Sequence, residues 1–323
     1  MTTLRFDNQV ALITGAGRGI GREHARLLAS RGAHIVVNDY GVGLRGSERS
    51  DPSLADAVAR GIEAAGGSSL SACCDIGDAA AVQTMVNRAL ERFGRLDVVI
   101  HNASVYAPPS GFAEASAEHL ERILRVNVTG GWNVAQAAWG SMTARGYGRI
   151  IMTGSGAGFF GRRKDHAYGI AKSALMAFTK GLATEGAELG IKVNLVAPIA
   201  FTDHAKLQGI PPLMERFALP VHVSNLVAVL AHESCPVSGE MFHCGGGFIS
   251  RVFVGETPGT VFPAASMSPE AVLAGMERVM EDKGACIPAN SDRSGARVSA
   301  ALAAANPDFA EALAVAKRDR PAR

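Results

Sequence analysis

Between the apolar run Val10–Ile13 and an amphipathic stretch from Gly19 to Arg31 lies the segment Thr14-Gly15-Ala16-Gly17-Arg18-Gly19-Ile20-Gly21. Glycines at 15, 19 and 21 specify a tight turn from a buried strand into a helix. Glycine reaches positive φ without strain and puts no Cβ between backbone and ligand. The helix that starts there offers free N–H groups and the positive end of its dipole to an anion. Such a turn also occurs as a plain strand-to-helix connection. Strand before, helix after and an acidic residue closing the next strand favour a phosphate cradle, with Gly15, Gly17, Arg18, Gly19, Ile20 and Gly21 at the ligand.

The rest of the chain repeats the same alternation. Apolar runs at Ile35–Val37, Leu70–Cys73, Val98–Ile100, Ile150–Met152 and Val193–Val196 are separated by helical patterns. Those patterns cover about Asp78–Phe93, Ala117–Thr143 and Ala167–Leu189. Continuous apolar strands between helices predict an α/β fold, a Rossmann-like doubly wound parallel sheet covered on both faces. Its ligand belongs at the carboxyl ends of the strands. From Ile249 the rhythm stops and prolines at 258, 263 and 269 punctuate the chain. The expected division is therefore a Rossmann domain over 1–250 and a C-terminal extension over 251–323, with helices near Glu270–Glu281 and Ala300–Ala316.

Composition removes several functions. With 32 basic and 30 acidic residues the formal charge is +2, which gives no electrostatic footprint for nucleic acid. No apolar run is long enough to span a bilayer. The five cysteines include the adjacent pair Cys73-Cys74 and show no metal-ligand spacing, which suits reduced thiols and a cytoplasmic setting. The start shows no signal-peptide pattern and Pro321–Arg323 is no peroxisomal address. His232, His243 and Cys244 form no recognisable metal site, so no metal is expected.

The chemistry is carried by Ser155, Tyr168 and Lys172. Tyr168 and Lys172 are four apart on a helical pattern and share a face. A tyrosine titrates near pH ~10, and an adjacent ammonium stabilises its phenolate and lowers that value. Ser155 follows the strand Ile150–Met152, so its hydroxyl sits at the carboxyl edge of the sheet, where it can hold a substrate oxygen. Tyr-x-x-x-Lys alone is common in helices as a core ring with a solvated ammonium. Ser155 thirteen residues earlier, in a chain with the glycine turn, turns the reading to a proton-handling centre beside an alcohol or carbonyl. Asp39 lies 18 positions after Gly21, where a carboxylate accepts from ribose hydroxyls and repels a 2′-phosphate. Arg18 pulls toward that phosphate; Asp39 decides for NAD, because burying a carboxylate against a phosphate is costly while an exposed arginine can swing aside.

With these residues in order, the chain resembles the short-chain dehydrogenase/reductase family over about residues 5–250. The resemblance implies that Asn127, in Arg125-Val126-Asn127-Val128-Thr129, belongs to the catalytic set and holds a water linking Lys172 to a proton relay. From sequence alone Asn127 also fits a helix cap or kink. The resemblance further implies Asp75 and Ile76 at the adenine, Asn102 and Ala103 packed at the cofactor, and Pro198 to Thr202 near the nicotinamide. A narrower resemblance, running to about Glu281, is to the (3R)-hydroxyacyl-CoA dehydrogenase domains of peroxisomal multifunctional enzymes. It implies NAD-dependent oxidation of a 3-hydroxyacyl-CoA thioester, a homodimer or homotetramer, and a tail packed near the active site or dimer interface. The hydratase and sterol-carrier parts have no counterpart here, which predicts a free-standing bacterial relative. A steroid or other bulky CoA-free alcohol would use the same centre, and a non-catalytic Rossmann-fold binding protein is the alternative from another class.

Two departures stand out. His101-Asn102-Ala103-Ser104 replaces the family's Asn-Asn-Ala-Gly, and the Ser104 side chain should crowd the cofactor or reshape the pocket. Asn127 stands where multifunctional enzymes can carry histidine. His101 itself reads as a packed, hydrogen-bonded histidine rather than a proton donor. Arg162, Arg163 and Lys164 offer cations for CoA phosphates, as do Arg45 and Arg49, against the plain reading of solvated basic loops. Trp132 and Trp139, seven apart, fit a core or subunit face.

Overall fold

The computed structural model describes residues 3–45, 50–106, 110–207 and 210–318. Contacts divide the chain into two units, Met1–Val252 and Phe253–Arg323.

In the first unit the strands are β1 (Val10–Thr14), β2 (His34–Asn38), β3 (Ser68–Ala72), β4 (Val98–His101), β5 (Gly148–Thr153), β6 (Ile191–Pro198), β7 (Met241–Gly245) and β8 (Phe248–Val252). Among the described residues they form one sheet in the order β3-β2-β1-β4-β5-β6-β7-β8. All pairs are parallel except β7 with β8. The order reverses between β1 and β4, so a crevice opens where their carboxyl ends diverge.

Helices α1 (Gly19–Ser30), α2 (Ser53–Ala64), α3 (Ala79–Phe93), α4 (Ala117–Leu124), α5 (Gly130–Arg145), α6 (Gly156–Phe160), α7 (His166–Gly186), α8 (Asp203–Leu207) and α9 (Pro220–Ala231) connect and cover the strands. Strand residues alternate between two cores, as the period of two requires. Ala11, Ile13, Ile35 and Ile100 pack with Leu28, Ile62 and Val227 of α1, α2 and α9. Val10, Leu12, Val99 and Ile150 pack with Met85, Val134 and Leu175 of α3, α5 and α7. Each such aliphatic contributes about 1.5–3 kcal/mol on burial, which is why aliphatic residues predominate in the central strands. Trp139 packs on the second core, whereas Trp132 is exposed and stacks on Phe178 at 5.3 Å.

Three sequence expectations need correction. The helix expected over Ala117–Thr143 is interrupted: α4 and α5 are joined by a π-helical turn, Arg125–Thr129, which turns Asn127 fully inward. The alternation does not stop at Ile249. Gly246 and Gly247, at φ 58° and 88°, make a two-residue turn that returns the chain as the antiparallel edge strand β8. The helix expected over Ala300–Ala316 is two.

That break lies in the second unit, which contains α10 (Pro269–Met280), α11 (Ser291–Ala305) and α12 (Pro307–Arg318). Asn306 takes φ −140° and ψ 98° because the ring of Pro307 disfavours helical backbone before it. Glu256 pairs with Cys286 in an isolated antiparallel bridge and receives the Ser294 hydroxyl, with Arg297 at 3.5 Å.

Candidate active site

The glycine turn is held by what it touches. Gly15 lies at φ +63°, and a Cβ there would meet the Ala103 Cα at 2.8 Å. A Cβ on Gly21 would meet the Gly15 carbonyl at 2.2 Å. The Asn102 side chain donates to the carbonyls of Thr14 and Gly15, both at 3.0 Å, pinning the turn to the end of β4. Neither a side-chain cap nor an acidic residue occupies the first turn of α1, so its amides and dipole face the crevice.

Asp39 directly follows β2 and is 7% exposed. Its two oxygens accept from Gly17 N and Gly41 N, each at 2.8 Å. Arg18 donates to the Val42 carbonyl, so its guanidinium lies along the loop after β2. A cavity of about 420 Å³ runs along these groups. Its walls bring together Gly15, Arg18, Gly19, Ile20 and Asp39 with Asp75, Ile76, Asn102, Ala103 and Thr202. Gly17 and Gly21 stand behind it as supports, and Pro198 closes β6 opposite Cys244. Asp75 is engaged by Arg125 at 2.5 Å and by Gly77 N at 2.9 Å, so an ion pair stands at that wall of the cavity. Glycines at positive φ, an open helix start and a carboxylate on one wall fit a dinucleotide; no metal-binding cluster occurs among the described residues.

Ser155, Tyr168 and Lys172 come together at the start of α7. Tyr168 and Lys172 are both buried on its inner face. Lys172 Nζ donates to the Thr153 carbonyl at 2.7 Å and lies 5.4 Å from the centroid of the Tyr168 ring. Burial pushes the Lys172 pKa down to about 7. Ser155 caps α6, its oxygen accepting from Ala157 N at 3.2 Å, and its hydroxyl is near enough to the phenol of Tyr168 to pull that group's pKa down. Contrary to the expectation from spacing, the phenol's pKa lies above its ordinary value. Burial outweighs the hydroxyls of Ser155 and Ser104, which pull it down, and Asp165 and Tyr106 push it further up.

Asn127 reaches the site through its neighbours. Its Oδ1 accepts from Val105 N at 2.9 Å and its Nδ2 donates to Val105 O at 3.2 Å, so its side chain clamps the loop after β4. Its carbonyl lies 2.9 Å from His101 Nε2. Thr14 Oγ1 accepts from both Asn102 N and Ala103 N at 3.0 Å, leaving its proton for His101 Nδ1 at 3.3 Å. The network therefore sets one tautomer, with Nε2–H donating to Asn127. His101 is fully buried and its pKa is pushed down to about 4 by burial and then by the charge of Lys172, so it is a neutral strut.

Sequence reasoning missed Tyr106, Asp165 and His204. The Tyr106 ring meets the Tyr168 ring edge-on at 5.5 Å, and His204 lies 5.1 and 5.6 Å from the two. Asp165 starts α7 three residues before Tyr168 without capping the helix. Of the basic loop, Arg162 reaches this cluster, 3.9 Å from Asp165, whereas Arg163 and Lys164 are exposed, as is Arg45. Arg49 lies outside the described residues.

A family profile described as short chain dehydrogenase matches residues 9–208. The mouse peroxisomal multifunctional enzyme type 2 is 36% identical over 287 residues, 88% of this chain and 38% of its own length. The peroxisomal hydratase-dehydrogenase-epimerase of Saccharomyces cerevisiae is 35% identical over 84% of this chain and 30% of its own. This chain thus spans about a third of these relatives. The crystal structure of a short chain dehydrogenase from Mycobacterium avium superposes with a TM-score of 0.73 at 31% identity, covering 86% of this chain and 96% of that one.

Proposed function

The chain belongs to the short-chain dehydrogenase family, and on that footing we propose that it is an NAD-dependent oxidoreductase interconverting a secondary alcohol and its ketone, with a 3-hydroxyacyl-CoA and its 3-oxoacyl-CoA as the pair. The observation that carries the chemistry is the meeting of Ser155 and Lys172 at Tyr168, on the sheet edge that also bears the crevice. The acyl-CoA assignment draws on the resemblance to multifunctional-enzyme dehydrogenase domains, which extends beyond the common fold.

NAD, when bound, supplies the hydride acceptor. Asp39 supports NAD over NADP: its carboxylate forms one wall of the cavity, and a 2′-phosphate there would meet a second negative charge. Ser155 holds the substrate oxygen, and Tyr168 takes the hydroxyl proton in oxidation or returns it in reduction. With its pKa raised by burial, Tyr168 is held as a phenol, the form that donates to a ketone. Oxidation requires the phenolate, and the hydroxyls of Ser155 and Ser104 act in that direction against burial. Lys172 adds positive charge beside the ring, held in place by the Thr153 carbonyl. Asn127 and His101 keep the loop after β4 in register with the glycine turn.

The test is NADH appearance with purified protein, NAD or NADP, and matched panels of 3-hydroxyacyl-CoA thioesters and CoA-free secondary alcohols. Turnover of the thioesters with NAD supports the proposal. Turnover of the free alcohols alone discards the acyl-CoA part. Absence of turnover throughout favours a binding protein that kept the fold.

A further inference from the structure

Three buried oxygens beside Tyr168 make no hydrogen bond: Ser104 Oγ, Tyr106 Oη and Asp165 Oδ2, the last with Arg162 as its ion-pair partner at 3.9 Å. A buried polar atom without a partner destabilises a fold by about 1–3 kcal/mol, so three in one place need an explanation. None is left over from loose packing. Tyr106 is 2% exposed and its ring is wedged between Tyr168 and His204. Its backbone is fixed on both sides, through Val105 clamped by Asn127 and through its own N–H on the Leu44 carbonyl at 2.9 Å. Ser104 lines the cavity and pulls down the pKa of Tyr168, yet it meets no partner at full hydrogen-bond geometry. Two hydroxyl donors are thus held next to Tyr168 without a partner.

We propose that the hydroxyls of Tyr106 and Ser104 form a second oxygen-binding subsite, which takes the carbonyl of a β-hydroxy carbonyl substrate while Ser155 and Tyr168 hold its reacting oxygen. This rests on the assignment of Tyr168 as the proton-handling residue. In such a substrate the two oxygens are roughly 3–5 Å apart by ordinary bond geometry, so both must be held by neighbouring groups, and Ser104 and Tyr106 are unpartnered neighbours of Tyr168. Both hydroxyls are donors to a carbonyl, and burial, which pushes Tyr106 up to about 12, keeps it a phenol at any working pH. A mono-alcohol leaves both donors unpaired, and the subsite discriminates against it for that reason.

The experiment compares kcat/KM for the N-acetylcysteamine thioester of 3-hydroxybutyrate with that for 2-pentanol, in wild type, Tyr106→Phe and Ser104→Ala. Tyr106→Phe keeps the ring packing and deletes only the unpartnered oxygen, so melting temperature should hold or rise. The expected result is a fall of roughly tenfold or more in the thioester-to-alcohol ratio for Tyr106→Phe, with a fall also for Ser104→Ala. An unchanged ratio, equal losses on both substrates, a wild-type preference for 2-pentanol, or turnover of neither overturns the subsite. The CoA-free thioester keeps this outcome separate from the CoA assignment. Undiminished turnover by Tyr168→Phe would instead overturn the assignment on which it rests.

Discussion

Lys172 Nζ donates to the carbonyl oxygen of Thr153 at 2.7 Å, tying the middle of a helix to the end of a strand. The ammonium thereby stays beside the Tyr168 ring although burial disfavours its charge. Its pKa falls from 10.5 to about 7, so between these values the unfolded chain keeps a proton that the folded chain releases. Stability from this group therefore rises as pH rises across that window. Lys172→Met should remove that rise, seen as a flatter dependence of melting temperature on pH from 7 to 10. It should also lower kcat by two orders of magnitude or more. An unchanged pH slope would show that the lysine is not buried as described.

Tyr168→Phe should lower turnover at least a hundredfold while NAD affinity, followed by fluorescence titration, stays within about threefold. The reason is separation in space: Asp39 and the glycine turn line the cavity proposed for the dinucleotide, and Tyr168 does not line it. Substantial residual turnover would remove Tyr168 from the chemistry.

The parts of this site that were legible in sequence are those fixed by local geometry. Gly15 and Gly21 stand where a Cβ collides with backbone, so residue type alone reports the constraint. Tyr168 and Lys172 share a face because four residues make one turn. Tyr106 and His204 carried no comparable signal. Tyr106 is aimed by Asn127, 21 positions further along, and that residue turns inward only because a π turn interrupts an otherwise regular helical pattern. The direction of the Tyr168 pKa was also illegible: spacing brings Lys172 near, but the Thr153 carbonyl takes its hydrogen bond and burial dominates the phenol.

Asp39→Ala should weaken NAD binding at least tenfold and narrow the preference for NAD over NADP. The carboxylate accepts from Gly17 N and Gly41 N, and on the proposed assignment it would also repel a 2′-phosphate. Loss of both acceptors should also lower melting temperature, by the equivalent of about 1–3 kcal/mol. Titration with each dinucleotide separates the roles: equal weakening of both would leave Asp39 only as a loop anchor.

Gly21→Ala should abolish dinucleotide binding together with some stability. Its Cβ would stand 2.2 Å from the Gly15 carbonyl and 2.5 Å from Asn102 Nδ2, so the turn must open and the bonds from Asn102 to Thr14 and Gly15 must break. Backbone cannot yield as a flexible side chain would, and about 1–3 kcal/mol of destabilisation follows. Circular dichroism melting with a parallel NAD titration checks both effects; wild-type affinity would mean that the turn relaxes without harm.

Acid should destabilise the protein well above the carboxylate range, because three histidines resist protonation in the fold. Burial pushes His24 down to about 3 and His101 and His204 to about 4, from an ordinary 6.5. As pH falls below 6.5 the unfolded chain gains protons that these folded residues refuse, so stability is lost, at most about 1.4 kcal/mol per pH unit for each. Asp165 works the other way, since its raised pKa lets the folded chain take a proton first. His24 is the cleanest to test: it lies in α1, bonded to Ser224 of α9 at 2.8 Å and away from the catalytic cluster. His24→Gln keeps a polar partner for Ser224 without a titrating ring, so its melting temperature should fall less than that of wild type between pH 7 and 5. Parallel curves for the two proteins would show that His24 takes its proton in the fold as readily as in the unfolded chain.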